Sequence, residues 1–328
     1  MRTPKVSVFI PTFNRAHMLR KSISSVLGQT YDDFEIIISD NASEDATESV
    51  VRSFDDNRIR YIRNSRNIGL RGNWNRAFAL TRGEYIAIFP DDDVMLPENL
   101  ARKVGVLSGS SQIGLVHSKF DVINEDGHIV RCNEHFWGAS GHTGDCLENR
   151  IEFLSLSRNV IHCSTVLFRS ACYERLGKFT EKLDHFFDYE YWMRIALHYD
   201  IAFLATPLIK WRVHQDMATM RHFSNEYVKL REDMKAKQMI TRHHLGGIAG
   251  GRELKEQIWK KMGQRFLTFL EDMRKSGSSE FCPKAIALAV CLRFPELLRV
   301  DIVRKGLLKS TLGSRVTGAL KGLYLSFR

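Results

Sequence analysis

Two rhythms of apolar residues alternate along the first hundred positions. Short strand-like runs stand at residues 5–10, 34–38, 59–62 and 84–89. Between them the apolar residues fall at helical spacing. Met18, Leu19, Ile23, Val26 and Leu27 predict a helix over 15–27, and further helices are predicted over 45–53, 73–80 and 97–107. Pro97 suits the first turn of the last, and residues 43–46 offer a cap for the second. Near-continuous apolar strands separated by helices predict an α/β fold with a mostly parallel central sheet and helices on both faces.

The middle of the chain is less regular. Residues 113–118 and 164–169 read as strands, and 120–123 and 128–130 flank the hairpin signal Asn124-Glu125-Asp126-Gly127. Residues 148–156 and 188–199 read as helices, and 201–211 as a strand around Pro207. From about residue 225 the pattern is helical, broken at Gly246-Gly247, Gly250-Gly251 and 276–279. Two regions are therefore expected, a ligand-binding α/β domain over 1–222 and a basic helical extension over 223–328.

Open sheets of this kind bind ligands at the carboxyl ends of their strands. Three polar segments fall there: Pro11-Thr12-Phe13-Asn14-Arg15, Asp40-Asn41-Ala42-Ser43, and Asp91-Asp92-Asp93. One aspartate would serve the N-terminus of the following helix. Three adjacent carboxylates after a buried strand exceed that need, and their hard oxygens suit Mn²⁺ or Mg²⁺. Asp40 fits either a ligand contact or an Asx turn with Ser43. In Phe186-Phe187-Asp188-Tyr189-Glu190-Tyr191-Trp192-Met193-Arg194, two acids stand among aromatics, a setting that raises a carboxylate pKa and suits a general base. Glu190 also lies one turn before Arg194, as an ion pair requires. His214, after the strand-like 201–211, is a further metal-ligand candidate, set against a structural role. Arg66 and Arg71 lie in a loop from which a guanidinium reaches phosphate.

Composition narrows the class. The chain has 328 residues, 44% hydrophobic and 26% charged, as soluble domains do. No run of about eighteen apolar residues is present, and no signal peptide is expected before the first strand. Six cysteines without a C-x-x-C pair point to a reducing, cytoplasmic setting. The net charge is +10, and residues 274–328 carry eleven Lys/Arg against three Asp/Glu, a local +8. Such a tail suits peripheral attachment to an anionic membrane surface, or a helical cap packed on the catalytic domain. No nucleic-acid partner is expected, because the carboxylate trio would repel phosphates without a metal.

Taken in order, these segments resemble the inverting family 2 glycosyltransferases of GT-A fold. Val6-Ser7-Val8-Phe9-Ile10-Pro11-Thr12-Phe13-Asn14-Arg15 is similar to their opening strand and nucleotide loop. Ser24-Ser25-Val26-Leu27-Gly28-Gln29-Thr30-Tyr31 resembles the end of their first helix. Asn67-Ile68-Gly69 through Ala77, the aspartate triplet, and the segment from Phe187 to Arg194 resemble later family motifs, over roughly residues 4–220. The resemblance implies a nucleoside-diphosphate-sugar donor, UDP- or dTDP-linked, and a saccharide or lipid-linked saccharide acceptor in surface polysaccharide or lipopolysaccharide assembly. It implies nucleotide contacts from Pro11, Thr12, Asn14, Arg15, Asp40, Asn41, Arg71, Asp91 and Asp92. Asp93, with Asp91 and His214, would hold Mn²⁺ or Mg²⁺, and Asp188 would be the base. The family often has an acid just before the base, where this chain has Phe187, so Glu190 stays a rival. A sugar-nucleotide synthesising enzyme would want a Gly- and Lys-bearing phosphate loop, and residues 11–20 contain neither. The remaining alternative is a non-catalytic GT-A scaffold or binding protein.

Overall fold

The computed structural model describes residues 3–134, 146–147, 153–154, 159–217 and 226–275, together with 290, 293, 294, 296, 297, 300 and 303. The chain divides into two compact units, Met1–Arg150 with Asn159–Ser224, and Ile151–Arg158 with Asn225–Arg328.

The first unit is a mixed sheet. Its strands β1 (Val6–Thr12), β2 (Phe34–Asp40), β3 (Ile59–Arg63) and β4 (Tyr85–Ile88) are joined by helices α1 (Ala16–Leu27), α2 (Thr47–Arg52) and α3 (Gly69–Ala79). These four strands pair in parallel, in the order β3-β2-β1-β4. Then come β5 (Val94–Met95), α4 (Asn99–Gly109), β6 (Ile113–Ile123), β7 (Ile129–Glu134) and β8 (Cys146–Leu147). The unit closes with β9 (Leu167–Arg169), α5 (Ser170–Leu176), α6 (Phe187–Ala196) and β10 (Asp200–Arg212). Beyond β4 the order continues β9-β6-β10-β5. There β9 runs antiparallel to both neighbours, and β10 runs parallel to β6 and antiparallel to β5. The expected parallel sheet is thus confined to β3-β2-β1-β4 and the β6/β10 pair. The β6–β7 hairpin turns at Asn124, whose carbonyl accepts from Gly127 N at 3.0 Å. Pro207 is accommodated in β10 by register shifts on either side of it.

Every residue of β1 and of β2 is buried. Strand periodicity splits their side chains between two faces. Val6, Val8 and Ile10 join Leu19, Ile23 and Val26 of α1 and Leu100 and Val104 of α4 in one core. Phe9, on the opposite face, meets Trp74 and Phe78 of α3. The helices therefore cover both faces, and only the strand ends are left for chemistry. Asp45 fastens one of those ends: its carboxylate accepts from Ala16 N at 2.9 Å and Thr47 N at 3.0 Å, so it starts two helices.

In the second unit, α7 (Glu226–His243) and α8 (Gly251–Lys275) share a core of Leu230, Met234, Trp259, Met262 and Phe266. Gly247 and Gly250 between them take φ of +83° and +71°. The expected helices over 148–156 and beyond residue 283, and the break at 276–279, lie largely outside the described residues. Among the described residues, no helix is long and apolar enough to cross a membrane.

Lys103 breaks the apolar stripe of α4. It is fully buried, and its Nζ has no hydrogen-bond partner among the described residues. Burial pushes its pKa well below the ordinary lysine value. The unfolded chain then binds a proton that the folded chain has released, so stability rises with pH between the lowered value and about 10.5. Lys103→Met is expected to raise stability by about 2 kcal/mol at neutral pH and to flatten that rise, as urea denaturation at several pH values would show.

Candidate active site

The carboxyl ends of β1, β2 and β4 lie side by side, because β1 pairs with both neighbours: Thr12 sits beside Asp40, and Phe9 beside Ile88. A cavity of about 530 Å³ opens above them. Pro11, Thr12, Asn14, Arg15, Asn41, Asp91, Asp92, Asp93 and Asp188 all line it. Asp40, Arg71, Glu190 and His214 do not.

The acidic turn after β4 is almost wholly buried, at 3%, 9% and 1% exposure for Asp91, Asp92 and Asp93. Three elements supply its partners. Arg15, at the start of α1, reaches Asp91 Oδ1 at 3.0 Å and Asp92 Oδ2 at 2.7 Å. Its other nitrogen donates to the carbonyl of Asp216 at 2.5 Å. His214 Nε2 lies 3.0 Å from Asp92 Oδ2. Asp93 Oδ1 accepts from Arg212 N at 2.9 Å, and its Oδ2 takes the hydroxyl of Ser164. Burial and the neighbouring Asp92 charge raise Asp91 to about 6 and Asp93 well above the usual carboxylate range. Burial also pushes Asp92 upward, but the hydrogen bond from His214 and the Arg15 charge outweigh it and hold Asp92 low. The partners thus hold Asp92 ionised but leave the ionised forms of Asp91 and Asp93 under-compensated.

That shortfall bears on a divalent cation. The oxygen donors are hard and under-compensated, and each bonded carboxylate keeps further lone pairs. Among the described residues, however, no three His, Cys, Asp or Glu groups converge as a ready-made metal cluster. The chemistry of the donor set fits Mn²⁺ or Mg²⁺; all three aspartates line the cavity, and Asp91 and Asp93, whose ionised forms are the less compensated, could hold it.

Asp188 enters from the first turn of α6. Phe186, just before the helix, takes φ of +57° and accepts from Glu190 N at 2.9 Å. A bulky residue in that region is strained. Phe187 then packs edge-on against Trp74 at 5.2 Å. Asp188 turns its carboxylate to the cavity, where burial raises its pKa to about 6 although Tyr189 N donates to Oδ1 at 2.7 Å.

Four expected contacts lie elsewhere. Glu190 is 1% exposed and bonded to Arg194 at 2.8 and 2.9 Å, while Arg194 also holds the carbonyls of Leu176 and Lys178. It is a pillar of the α5–α6 corner, because the i, i+4 spacing turns it into the core. Asp40 accepts from Ser43 N at 2.8 Å and Tyr61 Oη at 2.6 Å, so both its oxygens serve the turn after β2. Arg71 is drawn to the carbonyl of Leu183. His214 sits behind Asp92 and orients it.

The cavity also gathers residues that sequence reasoning passed over as site residues. Asn67, Asn73 and Trp74 come from α3 and the loop before it, His162 and Cys163 from the turn before β9, and Trp211 from the end of β10. The residues at 164 and 165 do not extend β9: Cys163–Thr165 is a 3₁₀ turn, stabilised by Thr165 Oγ1 donating to His162 O at 2.7 Å. Because β9 runs antiparallel to β4, the residues before it lie beside the acidic turn.

The sequence model of the glycosyl transferase family 2 matches residues 7–176, just over half of the chain. The chain belongs to this family. A glycosyltransferase of Rickettsia prowazekii is 29% identical over 218 residues, covering 66% of each chain, so the match spans about two thirds of that relative's length. The UDP-Glc:α-D-GlcNAc-diphosphoundecaprenol β-1,3-glucosyltransferase WfgD of Escherichia coli is 26% identical over 221 residues, covering 66% of this chain and 81% of WfgD. Among solved structures, S. aureus TarS 1-349 in complex with UDP-GlcNAc matches with a TM-score of 0.70 at 16% identity, over 99% of this chain and 91% of TarS 1-349. The fold is GT-A. Phe187, at the position before Asp188 where the family resemblance suggested an acid, serves the aromatic core.

The two acids of α6 are expected to separate in stability measurements. Glu190→Ala strands a buried guanidinium and should cost about 3–5 kcal/mol. Asp188 behaves oppositely. Its folded pKa lies above the unfolded value, so the folded state holds the extra proton and stability falls as pH rises from about 4 to about 6. Asp188→Asn should remove its share of that fall, leaving the shares of Asp91 and Asp93, and gain about 2 kcal/mol at pH 8. Guanidinium denaturation at pH 5 and pH 8 would show both.

Proposed function

We propose that this family 2 chain is an inverting glycosyltransferase. It moves a sugar from a nucleoside-diphosphate sugar, UDP- or dTDP-linked, to an acceptor hydroxyl. The observation that carries this is the sharing of one cavity by Asp188 and the acidic turn. Asp188, raised toward neutral pH, is a base matched to its task. The acidic turn and the loops after β1 and β2 receive the nucleotide diphosphate.

Pro11, Thr12 and Asn14 shape the nucleotide side through the loop after β1, where Asn14 takes φ of +53°. Its amide accepts from Glu44 N at 2.8 Å, and its own N donates to Ser43 Oγ at 2.9 Å. This ties the loops after β1 and β2 together. Asp40 acts by holding that second loop, and Asn41 offers the cavity-facing surface. Arg15 orients Asp91 and Asp92. A divalent cation bound by Asp91 and Asp93 would supply charge neutralisation for the departing diphosphate. Asp188 takes the proton of the acceptor hydroxyl as its oxygen bonds to the anomeric carbon. The bond to the diphosphate breaks on the opposite face, and the configuration inverts. A lipid-linked saccharide, as in the name of WfgD, is the acceptor class we favour, in surface polysaccharide or lipopolysaccharide assembly. The basic tail would hold the enzyme at the anionic inner membrane face.

Release of free nucleoside diphosphate from a panel of UDP-, dTDP- and GDP-sugars tests this reading. Slow turnover of one UDP- or dTDP-sugar is expected with Mn²⁺, lost with chelator and in Asp93→Ala. Asp188→Ala should lower turnover by about 10²–10⁴-fold. The wild-type rate should fall below about pH 6, where Asp188 gains its proton. Calorimetry showing no binding of any donor would leave a non-catalytic scaffold as the better account.

A further inference from the structure

Sheet order divides the cavity. β4 carries the acidic turn and stands between two halves, β1 and β2 on one side and β9, β6 and β10 on the other. The first half supplies the loops assigned above to the nucleotide. On the second half an aromatic cluster stands at the cavity wall. Trp211 and His162 both line the cavity, with ring centres 5.0 Å apart. Phe120, buried on β6, braces both: it lies 5.7 Å from Trp211 at 89°, and 5.5 Å from His162. Trp211 and His162 remain partly exposed.

We propose that Trp211 and His162 form the platform on which a pyranose ring of the acceptor lies, making them specificity-determining residues. This deepens the transferase reading and rests on it. Three observations support the placement. Trp211 precedes Arg212, whose N–H holds Asp93 Oδ1, and His162 lies two residues from Ser164, whose hydroxyl holds Asp93 Oδ2. The platform is therefore anchored to the same carboxylate from two separate elements, the end of β10 and the turn before β9. Helix α6, which carries Asp188, packs against β6 and β10, which sets the proposed base beside this half of the cavity. Finally, an apolar indole face, with the His162 ring inclined to it at 52° and polar groups at its rim, suits a pyranose, which has a C–H face and a hydroxyl edge.

Ligand-observed saturation-transfer NMR on the full chain tests the assignment. The probes are methyl α- and β-D-glucosides, galactosides and N-acetylglucosaminides, added after saturation with UDP, dTDP or GDP, whichever calorimetry shows to bind. Ring C–H protons of at least one glycoside should receive saturation in the wild type. Trp211→Leu should weaken that glycoside about tenfold, and His162→Ala should weaken it less. Nucleotide affinity should stay unchanged in both variants, and Trp211→Phe should recover part of the glycoside binding. Failure of every glycoside to bind a nucleotide-loaded wild type overturns the platform, as does unchanged binding in Trp211→Leu. Equal loss of nucleotide and glycoside in Trp211→Leu also overturns it, because the ring would then serve the site's architecture. A wild type that binds no nucleotide at all defeats the transferase reading first, and is told apart from these outcomes by the calorimetry alone.

Discussion

The architecture turns on burying three adjacent carboxylates at the end of β4. Desolvated like charges would drive the turn apart, so partners must come from elsewhere in the chain. Arg15 arrives from the β1–α1 junction, Ser164 from the turn before β9, and Arg212 and His214 from the end of β10. These strands are distant in sequence and meet only through sheet order. The compensation is incomplete, since Asp91 and Asp93 stay pushed toward their protonated forms while Asp92 is held ionised. A turn stabilised this way is firmly placed yet still receptive to positive charge.

Polar networks behind the cavity perform a second kind of positioning. Ser39 Oγ donates to Asn73 Oδ1 at 2.7 Å, and Asn64 Nδ2 bridges Asn73 and Asn41 at 3.0 and 2.9 Å. Asn41 in turn accepts from Ile68 N and donates to Asn67. Buried amides linked in this way favour one arrangement, because an alternative would leave further desolvated donors unpaired; Asn64 Oδ1 alone in this network has no partner among the described residues. The ends of β2 and β3 and the start of α3 are thereby set as one rigid wall. Within the second unit a comparable device is the fully buried Asp233, which meets Lys237 at 3.2 Å and Arg265 at 2.5 Å between α7 and α8.

Aromatic packing decides which of the α6 acids faces the cavity. Phe187 is anchored on Trp74 and Phe179, and Tyr191 on Phe78 and Phe179. With those rings committed to the core, helical geometry turns Asp188 outward and Glu190 inward, where Arg194 neutralises it. With Phe187 committed to the core and Glu190 to Arg194, Asp188 is the carboxylate of this helix that lines the cavity.

Much of this was legible along the chain. Periodicity gave the strands and helices of the first hundred residues, since buried strands on a doubly covered sheet need near-continuous apolar side chains. It also placed the polar loops after β1, β2 and β4 on one edge, because parallel pairing leaves all carboxyl ends on one side. Motif order pointed to the family. What the chain could not show is set by contacts between distant segments. The antiparallel insertion of β9 brings His162 and Ser164 to the acidic turn, and the pairing of β10 with β5 brings Trp211 and Arg212 there. Whether Asp40 faces a ligand or its own turn depended on Tyr61 standing one strand away, and the fate of Glu190 depended on the corner that Arg194 closes. Local spacing fixes which residues share a face of one element; only the assembled sheet decides which faces meet.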